Sequence, residues 1–355
     1  MTTTPAPPAG GSAGWPTWRQ ATERALYGPG GVFTHAGGPR AHFATATSAG
    51  PALAQALVGV VRHVDAALGH PPRVDLVEAG AGGGDLMARL VPLLPDDLAR
   101  RVAPCVVERS PAPPGWPDSW PWQPRMPARI RGLVLAVELL DAVPLDVVVA
   151  TPDGPRLVLV DPRTGAERAG PPPTGPDQAW LARWWPLPPA GAGQRAEVGS
   201  PRDRLWAELV GAVSQGLLIA VDYGHQRDER VSGRWQEGSL AAYRAGRAVP
   251  VVPDGTADVT AHVAIDAVAA AGVAAGAGVT WLGRQRAALR AVAAGGVPGV
   301  VGDGGLGDLA ARAGWAQLCD PVGLGAFYWL AQGVGMSLPG ALSGAEHAGA
   351  APITT

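Results

Sequence analysis

Lysine is absent from the 355 residues, so all 28 basic side chains are arginine, scattered without a run and opposed by 30 acidic ones. The formal net charge is −2. Nucleic acids, which select a concentrated basic footprint, are therefore not expected as partners. The same absence excludes a Walker A loop, since no Gly-Lys-Ser/Thr can reach a nucleotide phosphate. Cysteine is scarce: Cys105 and Cys319 each lie in an apolar stretch, with no CxxC and no histidine at ligand spacing. A disulfide framework is excluded, no metal site is expected, and the two thiols read as packing residues of a reducing compartment. The opening MTTTPAPPAGGSAG lacks a basic start and an apolar core, so it does not read as a secretory signal. No uncharged apolar run approaches the length of a membrane span. The expected location is the cytoplasm.

Glycine and proline are plentiful, 50 and 37 of them, but they punctuate apolar segments rather than a polar background. That is the pattern of a packed chain, long enough for one large α/β domain with insertions or for two domains. The expected organisation is a tail over 1–15, a helical region over 16–70, a core over 71–149 and 216–335, an insertion over 150–215, and a second tail over 336–355. GPPPTGPDQAW (170–180) reads as a stiff connector. DVVVATPDGPRLVLVD (146–161) reads as a hairpin around its Pro-Asp-Gly turn. GWAQLCD (314–320) and GAFYWLAQ (325–332) are expected to close the sheet as an antiparallel pair. The segment 262–278 reads as a small-residue helix, and no internal repeat is visible.

Four apolar runs end in an acidic residue: VDLVEAG (74–80) carries Glu78, VAPCVVE Glu108, RGLVLAVE Glu138 and GLLIAVDYG (216–224) Asp222. As strands of an open parallel sheet they would place those carboxylates around one crevice, because ligands gather beyond the carboxyl ends of such strands. The first run breaks into Gly80-Ala81-Gly82-Gly83-Gly84. A dinucleotide fingerprint needs its third glycine at 85, where Asp85 would repel a pyrophosphate from the helix N-terminus. The turn suits a ligand with an amino acid part and a nucleoside part, as in S-adenosylmethionine. Glu78 would meet its ammonium group, Gly80, Ala81, Gly82 and Gly84 would let the backbone approach it, and Glu108 would take both ribose hydroxyls. A tight strand-to-helix turn that packs closely and holds nothing is the alternative.

AVELLDAVP (136–144), LLIAVDYGH (217–225), GSLAAYR (238–244) and PDGTADVTAHVAID (253–266) together resemble the MidA-like family of S-adenosylmethionine-dependent methyltransferases, in order and spacing over roughly 24–331. That family includes the mitochondrial factor that methylates an arginine in a core subunit of respiratory complex I. The resemblance implies an α/β, Rossmann-like class I methyltransferase core, a mostly parallel seven-stranded sheet with helices on both faces and an inserted substrate-side region. It also implies the cofactor loop at Glu78 to Gly84 and the ribose carboxylate at Glu108. It further implies a protein acceptor, a respiratory complex subunit by analogy. Two departures stand out. The family usually reads Gly-Pro-Gly-Arg-Gly where this chain has Gly80 to Gly84 without arginine. HFATATSAG (42–50) keeps His42, Phe43 and Thr45, the last a cofactor-side candidate, but lacks the family's closing glutamate.

A protonated guanidinium has no free lone pair, so an arginine acceptor needs carboxylates that hold charge on its far nitrogens. Glu138 and Asp141, three apart beyond one strand, are the leading pair; Glu138 could instead cap the next helix or contact the adenine. Asp222 and Tyr223 could line the same pocket, with His225 a proton acceptor or a structural histidine. Asp258, Thr260 and His262 form a loop over the substrate or a helix cap. Trp180, Trp184 and Trp185 pack the insertion or form a docking face. Tyr27, Phe33, Phe43, Phe327 and Tyr328 read as core or pocket wall. An assembly factor without chemistry and a small-molecule O- or N-methyltransferase remain as alternatives.

Overall fold

The computed structural model describes residues 14–34, 50–188, 193–294 and 306–343. Helices α1 (Trp18–Tyr27) and α2 (Ala52–Ala67) precede strand β1 (Val74–Ala79). Helices α3 (Asp85–Leu90) and α4 (Asp96–Ala99) lead to β2 (Val102–Val107), then β3 (Trp122–Gln123) and β4 (Ile130–Val137). Strands β5 (Asp146–Thr151), β6 (Gly154–Val160), β7 (Glu167–Ala169) and β8 (Arg195–Val198) follow, with α5 (Gly175–Trp184) between the last two. Helix α6 (Ser200–Ala212) feeds β9 (Val213–Asp222). The short pieces β10 (Gly224–His225), α7 (Arg227–Val231), β11 (Ala241–Arg244), β12 (Arg247–Val249), β13 (Asp258–Thr260) and β14 (Val263–Ala264) come before α8 (Ile265–Ala274). The chain finishes through β15 (Val279–Arg284), α9 (Gln285–Ala294), α10 (Leu306–Cys319), β16 (Tyr328–Val334) and α11 (Gly340–Ser343).

Seven strands form the central sheet in the order β15-β16-β9-β4-β1-β2-β3. β4, β1, β2 and β3 run parallel, as do β4 and β9, while β16 lies antiparallel between β9 and β15. The sheet is mostly parallel with helices on both faces, as the resemblance implies. Alternation sorts its side chains: Leu76, Leu133, Leu135 and Ile219 join α2, α3, α9 and α10 in one core. Val77, Val134, Leu218 and Ala220 join α6 and α8 in the other. Such near-continuous apolar strands are what burial on both faces requires. Only residues 124–129 join β3 to β4, with no helix between them.

The Pro-Asp-Gly hairpin forms as β5–β6, within a four-stranded sheet ordered β7-β6-β5-β8. The expected C-terminal pairing needs correction. GWAQLCD belongs to helix α10, and the antiparallel partners of β16 are β15 and β9. Around GWAQLCD the apolar residues recur at helical rather than alternating spacing, with Leu318 inward.

Candidate functional site

A cavity of about 640 Å³ opens beyond the carboxyl ends of β1, β2 and β4, where Ala79, Gly80, Gly82, Val107, Glu108 and Glu138 meet side chains from α1 and α6. The turn after β1 needs glycine twice over. Gly80, Gly82 and Gly84 hold φ of +71°, +57° and +76°, in the left-handed region that side chains avoid. A Cβ on Gly80 would stand 2.5 Å from Leu139 Cδ1, and one on Gly84 2.3 Å from Trp116 Cζ3. Trp116 belongs to an aromatic trio with Trp120 and Trp122, whose ring centroids lie 5.7 and 4.9 Å from its own. The glycine turn is thus held between Leu139 on one side and the trio on the other.

Glu108 secures this turn to the next one. Its Oε2 accepts from the Gly82 N–H (2.9 Å), and its Oε1 from the N–H groups of Arg109 (2.7 Å) and Ser110 (3.1 Å). A carboxylate offers about four lone-pair sites, so one acceptor site stays open for a ligand hydroxyl. Glu78 takes a different position. It is buried beneath the turn, accepts from the Met87 N–H (3.1 Å), and is not among the cavity-lining residues. Burial pushes its carboxyl up to about 8.

Glu138 follows β4 with φ +51°, and its N–H donates to Val221 O (2.8 Å). A non-glycine residue in that region stores backbone strain, which surrounding structure must hold in place. Asp141 does not join it at the cavity. Its carboxylate is buried, accepts from the Tyr223 hydroxyl, and is not among the cavity-lining residues. Asp222 is equally buried and receives the N–H groups of Leu140 (2.9 Å) and Asp141 (3.2 Å) on Oδ2. Burial and the neighbouring Asp141 raise its carboxyl well above the ordinary range. The four strand-end carboxylates therefore do not share one crevice: Glu108 and Glu138 face the cavity, whereas Glu78 and Asp222 turn inward.

Behind the cavity the inward groups form a sealed polar interior. Arg202, on α6, is 2% exposed and donates to the carbonyl oxygens of His262 and Asp141, both at 2.7 Å. Burial raises Asp258 to about 7 and lowers His262 to about 4. Tyr27 connects the two regions. It lines the cavity, packs on Phe33 at 5.2 Å, donates to Ala142 O (3.3 Å), and feels the charges of both Asp141 and Asp258.

His225 is a packed histidine rather than a cavity base. It is wholly buried, sits against Trp185 and Trp235, and has Nδ1 2.9 Å from an Arg230 guanidinium nitrogen. Burial first and Arg230 second push it well below its usual range, which keeps it neutral. Thr260 is buried beside Tyr223, and Ala81 takes the Gly84 N–H inside the turn without lining the cavity. Thr45, with His42 and Phe43, lies outside the described residues. Phe327 packs on Tyr223 (5.3 Å), Tyr328 is core, and Trp180 and Trp185 are buried against β8 and α8. Sequence reasoning missed the trio Trp116, Trp120 and Trp122. Its tight spacing in GWPDSWPWQP was the available signal. It also missed Arg202, for which a single charged residue on a helix gives none.

A family model described as "Putative S-adenosyl-L-methionine-dependent methyltransferase" matches residues 52–283. The chain belongs to this methyltransferase family. Among solved structures, the methyltransferase is similar to a Burkholderia thailandensis protein described as a "likely methyl transferase" and bound to S-adenosyl-homocysteine. The identity is 25% and the TM-score 0.77, over 92% of this chain and 89% of that one. A second B. thailandensis structure of the same superfamily, described as uncharacterized, matches at 26% identity and TM-score 0.75, over 93% and 90%. No curated protein is significantly similar to the chain. These similarities agree with the MidA-like resemblance drawn from the motifs. No helix among the described residues is long and apolar enough to cross a membrane.

Proposed function

We propose that the cavity takes S-adenosylmethionine beside the glycine turn and that the acceptor of its methyl group is an arginine side chain of a protein. The residues present fit the cofactor: the turn leaves no room for a Cβ at Gly80 or Gly84, it presents Gly80 and Gly82 to the cavity, and Glu108 keeps one acceptor site for a ribose hydroxyl. One hydroxyl, not both, is what its bonding leaves. Glu78, buried beneath the turn and accepting from the Met87 N–H, orders α3 rather than meeting an ammonium group. When bound, S-adenosylmethionine supplies a methyl group on a positively charged sulfur, open to in-line displacement.

The observation that carries the arginine reading is Glu138, a carboxylate set by strained backbone into the wall of the cavity that the glycine turn also lines. Bonded there to a guanidinium, it would draw charge to the far nitrogens and leave the near one nucleophilic. Tyr27 supports the same reading, since its ring already carries the Arg109 guanidinium 4.6 Å from its centroid.

The test is transfer of labelled methyl to arginine-containing peptides by the wild type and by Glu138→Gln. Loss of about 100-fold or more in kcat, with S-adenosylhomocysteine affinity kept within about twofold, is expected for a group acting on the acceptor. An equal loss of affinity would make Glu138 a cofactor ligand instead. A small-molecule acceptor is the second reading, favoured by a cavity volume inside the range of about 300–1,000 Å³ usual for small-ligand pockets. Methylation of small amines or phenols, with none of any peptide, would establish it.

A further inference from the structure

The turn that follows β4 has neither a strand ladder nor a helix to take its N–H groups, yet it sets Glu138 in the cavity wall and buries Leu140 and Asp141. Buried N–H groups need partners. Here the partners come from the end of β9. The Glu138 N–H donates to Val221 O (2.8 Å), and the N–H groups of Leu140 (2.9 Å) and Asp141 (3.2 Å) both donate to Oδ2 of Asp222. Among the described residues no other group takes those two N–H groups, so one carboxyl oxygen holds the second half of the turn. Leu139, between the two anchors, lies with its side chain against Gly80 of the glycine turn. Asp222 itself is 1% exposed and is not among the cavity-lining residues. After burial and Asp141, Glu138 is the next group to raise its carboxyl, so Glu138 lies within its electrostatic reach.

We propose that Asp222 is a positioning residue for methyl transfer, holding the turn 138–141 so that Glu138 presents its carboxylate to the acceptor. The proposal rests on the reading of Glu138 given above and adds the group that sets its place. A residue at φ +51° keeps that conformation only where its surroundings impose it. Val221 secures the start of the turn and Asp222 its continuation; without the second anchor the strained residue is free to relax. A displacement of Glu138 by about 1 Å is enough to cost on the order of 100-fold in rate, because the acceptor nitrogen must stand in line with the bond that breaks. What the turn requires at this point is an acceptor oxygen, not a negative charge. An asparagine can meet the same two N–H groups only through its carbonyl oxygen, since its NH2 group donates and does not accept. Asp222→Asn therefore keeps the hold, and Asp222→Ala removes it.

Transfer of labelled methyl to an arginine-containing peptide tests this, with S-adenosylhomocysteine affinity followed by calorimetry. Asp222→Ala is expected to lose about 100-fold in kcat, with KM and S-adenosylhomocysteine affinity kept within about threefold, and Asp222→Asn to recover kcat to within about threefold of wild type. Added to Glu138→Gln, Asp222→Ala should cost less than about threefold more, because both changes remove the same contact with the acceptor. Multiplied losses in that double variant, or an asparagine no better than alanine, would overturn the proposal. A fall in S-adenosylhomocysteine affinity as large as the fall in kcat would also overturn it, by assigning Asp222 to the glycine turn through Leu139. Should Asp222→Ala not fold, Asp222→Glu takes its place in each comparison, since it keeps a carboxylate but moves it by one methylene. If wild type methylates no peptide, the arginine reading fails by itself. Amide hydrogen exchange then decides the hold: faster exchange at Leu140 and Asp141 in Asp222→Ala, restored in Asp222→Asn, supports it, and equal exchange refutes it.

Discussion

The cavity and the polar interior behind it are built from neighbouring segments, yet they treat their polar groups in opposite ways. Among the described residues, none lining the cavity has a fully buried side-chain nitrogen or oxygen without a partner, whereas an oxygen of Asp222, an oxygen of Asp258 and Nε of Arg202 lack one in the interior. At the cavity, Glu108 is tied down by backbone N–H groups while still facing an opening. In the interior, burial raises the carboxyls of Asp141, Asp222 and Asp258, and Asp141 adds to the rise of the other two. Unsatisfied buried groups cost stability and call for an explanation. The cavity is thus prearranged at little electrostatic cost, and the interior is where this molecule concentrates its strain of charge.

The largest effect expected from breaking that contrast lies at Arg202. Arg202→Leu would take a donor from the carbonyl oxygens of His262 and Asp141, of which Asp141 keeps the Ala261 N–H, and remove the cation facing the buried carboxyls, destabilising the fold by about 3–5 kcal/mol in chemical denaturation. A loss below about 1 kcal/mol would mean that the interior is hydrated and tolerant. Next comes Gly84→Ala, which adds left-handed strain to a clash with Trp116 and should cost about 2–4 kcal/mol, with weakened S-adenosylhomocysteine binding by calorimetry. Normal stability and affinity there would show that the aromatic trio yields easily.

A third test concerns Glu78. Because burial lifts it from 4.5 to about 8, the folded state keeps a proton that the unfolded chain has released between those values. Its contribution to stability is complete below 4.5 and declines as pH rises towards 8, by at most about 1.4 kcal/mol per pH unit. Urea midpoints from pH 5 to 8 should therefore decline less steeply in Glu78→Gln than in wild type, and parallel curves would mean an ionised Glu78. The smallest effect belongs to Glu23→Ala. Its exposed pair with Arg109 is worth below about 1 kcal/mol, so melting should barely change; a large loss would make that pair a structural clasp of the cavity.

How far the sequence could be read follows from the same contrast. Four parallel strands, β1, β2, β4 and β9, announced themselves by an apolar run with an acidic end, and the glycine turn by its spacing, whereas the two-residue β3 did not. Local patterns of that kind are set by the backbone. The direction of the acidic side chains was not legible, because Glu78 and Glu138 look alike in sequence, and only the positive φ of Glu138 and the burial of Glu78 separate them. Asp141 was paired with Glu138 on spacing, but the turn between them carries Asp141 to Tyr223. His225 was open between proton acceptor and structural histidine, because a histidine following a strand end can be either, and the packing of Trp185 and Trp235 that decides for the second is not visible in its own segment. The final strand pairing failed for a related reason: β15 is hidden in VTWLGR, whose apolar character is no greater than that of GWAQLCD.

The indole trio against the glycine turn also makes the molecule its own optical probe. Trp116 lies within van der Waals range of the space above Gly84 and is hydrogen-bonded through Nε1 to Trp120 O (2.8 Å). A shift of the turn by a few tenths of an ångström changes the packing of an emitting ring, and the part of the emission of the 13 tryptophans that Trp116→Phe removes reads out movement of the turn without any label.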